Sequence, residues 1–475
     1  MQPDEFRRVG HALVEWLAAY RERLEDYPVM SRVRPGEVAA RLPGAPPEAP
    51  TGLEDVAADL ERVVLPGVTH WNHPGFFAYF PSNTDLSSAL ADLVAAGLGC
   101  PGMSWQTSPA CTEVEDVVMD WLRQMVGLPD CFTGVIQDSA SSATLCALLC
   151  ARERASGFAQ EGDGLQAQPA PLVVYASDQA HSSVAKAVKL AGIGLANLRL
   201  LESDDAGALP AERLEEAVAA DLAAGRRPCA VVATVGTTAT TAVDPVAALA
   251  EVAARHGLWL HVDAALAGTA MACPEFRPLW AGVEAADSLV FNPHKWLGTG
   301  FDLSAYYVRD PGLLTRVMST DPSYLRTAQD GSVRNLRDWG IPLGRRFRAL
   351  KLWFVLRDQG VEGIRARVRR DVANARWLAG QVDATPGWER LAPVPLQTVC
   401  LRHVPDRLRG DEEALGRHNL ALAEEVNAGG TAYLTTAEVK GRRVVRVSVG
   451  AQATTREHVA ALWQTLQATA ARLAP

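Results

Sequence analysis

Ser288-Leu289-Val290-Phe291-Asn292-Pro293-His294-Lys295-Trp296 is an apolar run that breaks at asparagine and proline and closes on a lysine between large apolar residues. Its first four residues read as a strand and the rest as the turn that leaves it. Beside Phe291, Pro293 and Trp296 the lysine is kept from open water. Burial disfavours an ammonium and lowers its pKa. A neutral amine is a nucleophile that condenses with an aldehyde. The stretch therefore points to a covalently held carbonyl cofactor, of which pyridoxal 5'-phosphate (PLP) is the obvious one. Alone the signal is weak, because most lysines are solvated surface charges.

A second strand upstream strengthens it. Leu258-Trp259-Leu260-His261-Val262 ends in Asp263-Ala264-Ala265. A carboxylate at the end of a buried strand needs a partner. The pyridinium nitrogen of PLP is one, and the start of a following helix is the other. Further strand patterns occupy residues 172–176, 198–201, 230–235 and 305–308, with helical patterns at 211–224 and 246–256. This alternation predicts an α/β fold with a largely parallel sheet. Ligands of such sheets bind at the carboxyl ends of strands, where Asp263 and Lys295 both fall.

At the N-terminus, Phe6, Val9, Leu13, Trp16, Leu17 and Tyr20 recur at helical spacing within residues 4–26. A proline-rich linker at 43–50 and a second helical pattern at 52–64 follow. The apolar stripe has no domain of its own to pack on, so the arm is expected to pack on a second subunit. Residues 399–403 and 444–449 read as strands and 456–473 as a closing helix, which makes a smaller α/β lobe. The expected division is an arm at 1–80, a large cofactor-binding domain at 81–370 and a small domain at 371–475.

The 475 residues can bury a large core, and 48% hydrophobic content is ordinary for a soluble globular protein. A net charge of −9 offers no basic face to nucleic acid or an anionic membrane. No apolar run approaches the roughly 20 residues of a membrane span. Met1-Gln2-Pro3-Asp4-Glu5 is unlike a signal peptide. Eight scattered cysteines without a CxxC pair fit a reduced cytoplasm, with Cys146 and Cys150 as core residues. His70 and His73 lack a carboxylate or thiolate companion, so no metal site is expected.

Several further residues suit a phosphate-bearing cofactor. Ser139-Ala140-Ser141-Ser142 leads into a helical pattern, which fits either a phosphate cup or an ordinary serine cap. Ser288 and Asn292 flank the lysine strand and can add donors or satisfy their own backbone. His181 sits just past a strand, where an imidazole can stack on a planar ring or bond a loop carbonyl. Thr237 and Thr238, also past a strand, can support the ring or cap the next segment. Tyr324 precedes a polar segment with a glycine, as a lid carrying a proton donor would, or as an anchored loop tyrosine would.

Together these stretches resemble the group II PLP-dependent decarboxylases, most closely the aromatic-L-amino-acid decarboxylases. The matching segments are residues 73–81, 108–113, 177–183, 261–265, 292–296 and 341–347, in the family's order. The resemblance implies the type I, aspartate aminotransferase-like PLP fold in a homodimer with an exchanged N-terminal arm. It implies that Lys295 holds PLP, Asp263 pairs with the pyridine nitrogen and His181 stacks on the ring. Ala140, Ser141 and Asn292, with Ser288, would hold the phosphate, and Thr238 would lie beside the cofactor. Tyr324 would protonate the substrate carbon. Trp71, Tyr79, Phe80 and Ser82 would line an aromatic pocket, with Pro101 and Met103 reaching in from the partner.

The implied reaction is decarboxylation of an aromatic L-amino acid to an arylalkylamine. Three departures stand out. Asp138 replaces a usual glycine, Pro101 and Met103 replace bulkier residues, and the segment after Tyr324 is slightly shorter. Aromatic aldehyde synthases share the scaffold but tend to carry Phe at the Tyr324 position or Asn at the His181 position. Histidine decarboxylases carry Ser at the Gly344 position, so Gly344 argues for larger aromatic substrates. A catalytically silent dimeric scaffold would have no need of Lys295, Asp263, His181 and Tyr324 together. Ser82 can bond a ring hydroxyl, favouring DOPA or tyrosine, whereas room at Met103 would admit tryptophan.

Overall fold

The computed structural model describes residues 1–473 apart from positions 54, 321, 322, 326 and 327 and the side chain of Tyr324. The chain opens with α1 (Pro3–Glu22), α2 (Val56–Asp59), α3 (Leu86–Leu98) and α4 (Pro109–Val126). The large lobe continues through β1 (Thr133–Gln137), α5 (Ala140–Ser156), β2 (Leu172–Ser177), α6 (Ser183–Leu190), β3 (Leu198–Leu201) and α7 (Ala211–Ala223). It ends with β4 (Arg227–Thr234), α8 (Val246–His256), β5 (Trp259–Asp263), β6 (Ser288–Phe291), β7 (Ser304–Val308) and α9 (Pro311–Met318). Helix α10 (Ala349–Ala384), broken at Gly360 with φ of 60°, leads out of it. The small lobe comprises β8 (Trp388–Arg390), β9 (Thr398–His403), α11 (Glu412–Gly429), β10 (Thr435–Val439), β11 (Arg442–Ser448) and α12 (Arg456–Leu473).

The large sheet has the order β1-β7-β6-β5-β4-β2-β3, and the small sheet β10-β11-β9-β8. Strands β6, β5, β4, β2 and β3 are mutually parallel. Strand β7 is antiparallel to both β6 and β1, so two reversals return β1 to the common direction. The segments leaving β1, β2, β4, β5 and β6 therefore open on one edge of the sheet.

Both faces of this sheet are covered, which is why its strands read as unbroken apolar runs. Along β4, Val231 and Ala233 enter one core layer, and Ala230 and Val232 the other. His261 is the exception in β5. It is fully buried, with Nδ1 2.8 Å from Ser288 Oγ and Nε2 3.4 Å from Thr144 Oγ1. Burial pushes its pKa down to about 4, so a neutral imidazole joins β5 to α5 and β6.

The fold differs from the sequence expectation in local ways. Strand β1 lies outside the strand patterns of the sequence, because Thr133-Gly134-Val135-Ile136-Gln137 contains a glycine, which is depleted in strands. Its partner explains the glycine. A Cβ at Gly134 would lie 2.6 Å from Tyr307 Cε1 and 2.7 Å from Met119 Cε. The helical pattern at 52–64 starts only at Val56 and finishes as a π turn over Leu60–Val64. The stripe of α1 is divided. Val9 is buried and Tyr20 bonds His70 through its hydroxyl (2.7 Å), while Phe6 and Leu17 stay exposed.

Gly134→Ala should cost about 1–3 kcal/mol by overpacking. Thermal unfolding followed by circular dichroism should show a midpoint lowered by several degrees, and an unchanged midpoint would contradict the tight Gly134–Tyr307 contact.

Candidate active site

Five of the segments on the common edge bring the predicted polar residues together. After β1, Ser139 caps α5 by accepting the Ser142 N–H (3.2 Å). The N–H groups of Ala140 and Ser141 in that first turn have no intrahelical partner and are available to an anion. After β6, the Asn292 N–H donates to the Ala265 carbonyl (2.9 Å), and Asn292 Oδ1 accepts from Ser304 Oγ (2.8 Å). Lys295 sits in a π turn over Pro293–Leu297. Its carbonyl accepts from Asn83 Nδ2 (3.1 Å), which also reaches the Gly450 carbonyl (2.8 Å) and so ties the two lobes at the lysine. Asp263, the last residue of β5, accepts the Ala265 N–H on Oδ1 (3.0 Å). Among the described residues its other oxygen accepts no hydrogen bond.

The electrostatics follow from this crowding. Burial pushes the Lys295 ammonium down to about 8; Asp263 opposes the shift and Arg446 adds to it. His181 is also held below its ordinary value, chiefly by burial, with Asp263 pulling upward and Lys295 downward. Its Nδ1 accepts the Ser183 N–H (3.1 Å), which leaves the proton of the neutral ring on Nε2. His294 is driven down to about 3 by burial and by Lys295; its Nδ1 accepts the Leu303 N–H (3.0 Å).

A cavity of about 480 Å³ opens above Lys295, lined by Trp71, Tyr79, Phe80, Pro81, Ser82, His181, Thr238, His294, Lys295 and Phe301. Its wall is aromatic: Trp71 stacks on Tyr79 with ring centres 5.6 Å apart. Tyr79 has the left-handed φ of 47°, rare for a side chain of this size, and its hydroxyl is 3.3 Å from that of Tyr433. Arg446 of β11 supports this corner from the small lobe. Its Nε donates to the Thr238 carbonyl (2.9 Å) and its Nη1 to the Tyr79 carbonyl. The guanidinium lies 4.6 Å and Lys295 Nζ 5.2 Å from the centre of the Phe80 ring. Arg446 Nη2 is buried with no partner among the described residues.

Of the residues read from the sequence, Trp71, Tyr79, Phe80, Ser82, His181, Thr238 and Lys295 share this cavity. Ala140, Ser141, Asp263 and Asn292 stand on the same sheet edge. Ser288 does not. It begins β6, at the opposite end of the strand from Asn292, and its hydroxyl accepts from Trp259 Nε1 (2.9 Å) and bonds His261. A fully buried hydroxyl engaged in that way is a core linker, not a phosphate ligand. Pro101, Met103 and Gly344 lie outside their own chain's cavity. The side chain of Tyr324 is outside the described residues. The sequence reading missed Phe301, His294, Asn83 and Arg446. For Arg446 a signal existed, since it is a charge inside the apolar run Val444-Val445-Arg446-Val447.

These donors fit PLP. The site pairs a depressed amine for an aldehyde with a helix start for a phosphate, and the Asp263 oxygen left free of hydrogen bonds among the described residues suits a ring N–H⁺. The comparisons agree. Residues 35–404 match the family profile described as "Pyridoxal-dependent decarboxylase conserved domain". The chain is 42% identical to phenylacetaldehyde synthase of Arabidopsis thaliana, over 100% of this chain and 97% of that one. It is 41% identical to the aromatic-L-amino-acid decarboxylase of Sus scrofa, over 100% and 98%. The crystal structure of Oryza sativa TDC with PLP and tryptamine superposes with a TM-score of 0.96 at 38% identity, covering 100% of this chain and 99% of that one.

The neutral fraction of Lys295 should rise about tenfold per pH unit and level off near pH 8. In cofactor-free protein, acylation of the Lys295 peptide followed by mass spectrometry should trace that curve. Asp263→Asn, which removes the charge that holds the pKa up, should move the plateau to lower pH. A rate still climbing above pH 10 would show a solvated lysine.

Proposed function

The chain belongs to the pyridoxal-dependent decarboxylase family and is a PLP-dependent carboxy-lyase, and we propose that it converts an aromatic L-amino acid to the arylalkylamine and CO2. The observation that carries the substrate class is the ring-lined cavity above Lys295, where Trp71, Tyr79, Phe80 and Phe301 offer flat apolar surface to a side chain of matching shape. Similarity to a structure with tryptamine and to an aromatic-L-amino-acid decarboxylase supports it.

When bound, PLP supplies a protonated heteroaromatic ring that accepts the electron pair left behind as CO2 departs. Lys295 holds the cofactor through Nζ. The free oxygen of Asp263 keeps a proton on the ring nitrogen. Ala140 and Ser141 N–H groups, with Asn292, bind the phosphate, and Thr238 borders the ring. His181, with its Nε2 proton, covers the open side of the site and excludes water. Arg446, buried behind the Phe80 ring, holds the Thr238 and Tyr79 carbonyls that frame the pocket. Ser82 faces the ring end of the substrate. Tyr324 delivers the proton that Cα needs before the amine leaves.

A second reading has one specific support, the similarity to phenylacetaldehyde synthase. Such an enzyme would turn amino acid, O2 and water into aldehyde, CO2, ammonia and hydrogen peroxide. Tyr324 and His181, both present here, favour the amine.

We further propose a homodimer in the cytoplasm, divided as arm 1–80, large domain 81–370 and small domain 371–475. The exposed Phe6 and Leu17 of α1, with Leu90 and Leu93 of α3, give a second copy an apolar surface to cover. Eight free cysteines suit a reducing compartment. No helix among the described residues is long and apolar enough to cross a membrane.

Purified holoprotein incubated with tryptophan, tyrosine, phenylalanine and DOPA should yield amine from at least one, with little peroxide. A protein that binds PLP but releases no CO2 from any of the four would overturn the substrate class. Tyr324→Phe should lower amine formation by roughly 100-fold, within the range of general acid catalysis, and raise aldehyde and peroxide. An unchanged amine yield would remove Tyr324 from this role.

A further inference from the structure

The turn that carries Lys295 is held from outside itself. It spans Pro293–Leu297 and stops at Gly298, in the left-handed region with φ of 99°. Its last carbonyls have no further turn to bond, so other groups must take them up. Asn83 serves the Lys295 carbonyl. The carbonyls of Trp296 and Leu297 both accept from Arg367 Nη2, at 3.0 and 2.6 Å. The Gly298 carbonyl accepts the Asp85 N–H (2.9 Å). The buried indole of Trp296 donates Nε1–H to Asp371 Oδ2 (2.9 Å).

Arg367 and Asp371 are four residues apart on α10 and so share one face of it. Both are buried and both are fixed in turn. Arg367 Nη1 donates to Gln359 Oε1 (2.8 Å), and Gln359 Nε2 to Asp85 Oδ2 (2.7 Å). Gln359 precedes the break at Gly360 and Arg367 follows it, so the guanidinium is anchored across the kink. Arg370 donates to Asp371 Oδ1 through Nε (3.1 Å) and Nη2 (3.0 Å). An apolar side chain would fill the place of a buried guanidinium at lower desolvation cost. It would not fix the direction of two carbonyls.

Arg367 and Asp371 do not line the cavity, and neither does Trp296. Trp296 belongs to the core cluster that holds Ile364, Val368 and Val372 of α10, whereas Lys295, one residue earlier, faces the cavity. Holding one side of this turn therefore sets where the other side points.

We propose that Arg367 and Asp371 are positioning residues for Lys295. By holding Trp296 and its carbonyl against α10, they aim the amine into the cavity and keep it out of water. The inference deepens the proposed function and rests on Lys295 as the residue that holds PLP.

The test follows the amine itself. Arg367→Lys keeps the charge but loses the planar guanidinium. Trp296→Phe keeps a ring but loses the indole donor. In cofactor-free protein, the midpoint of Lys295 acylation against pH is expected at about 8 for the wild type. In each variant it should rise by about one pH unit or more, toward a solvated lysine. In the holoenzyme, kcat should fall about tenfold or more while KM stays within about twofold. Asp371→Asn, whose amide oxygen still accepts the indole N–H, should keep the wild-type midpoint. Lower thermal stability with an unmoved acylation midpoint would make the clamp purely structural and overturn the proposal. A shift in Asp371→Asn as large as that in Trp296→Phe would overturn it too. If Arg367→Lys does not fold, Trp296→Phe carries the same test; if neither folds, the positioning role is overturned. A wild-type holoenzyme in which borohydride fixes no PLP to Lys295 would instead overturn the cofactor reading, and the acylation curves would still decide whether the turn is aimed by α10.

Discussion

The site depends on lowering the pKa of an amine that sits near a carboxylate. Burial strips water from Lys295 and favours the free base, whereas Asp263 favours the ammonium. Burial wins, and the balance lands at about 8, close enough to neutrality that the amine is available without the acid being removed. The acid has a separate duty, since one of its oxygens is committed to the Ala265 N–H and the other is free. Were Asp263 paired directly with Lys295, it would be lost to the cofactor and the amine would be lost to chemistry. The two residues influence one another without forming an ion pair, and that separation follows from placing them at the ends of adjacent strands.

The sheet makes this possible by its directions. Five parallel strands bring their carboxyl ends to one edge, and β1 joins them through the antiparallel β7. That detour carries the first turn of α5, with its free N–H groups, to the edge that holds Lys295. His261 then fixes α5 against β5 and β6 from inside the core, as a neutral imidazole spanning Thr144 and Ser288. The small lobe completes the arrangement by sending Arg446 beneath Tyr79 and Thr238. A site built from two lobes in this way can hold an aromatic wall rigid while leaving its mouth open, where Phe301 is 66% exposed.

Much of the site was legible because its signals are local. An apolar run broken by Asn292 and ending in Lys295, or by Asp263, marks a strand end from a few neighbouring residues, and the α/β alternation follows from the same periodicities. The resemblance to a family supplied the pocket residues. What stayed hidden depends on register and direction. Whether Ser288 faces the ligand edge or the core is decided by which end of β6 it occupies, and the hydroxyl gives no hint of that. Strand β1 is weak by propensity and exists because Tyr307 covers its glycine. Arg446 reaches its partner across 208 residues of chain. The reactive amine, its acid and the layered fold can be read from the order of residues, because short-range patterning encodes them. Which groups meet at the site emerges on folding alone, because contacts that distant are set by how strands are ordered and lobes docked.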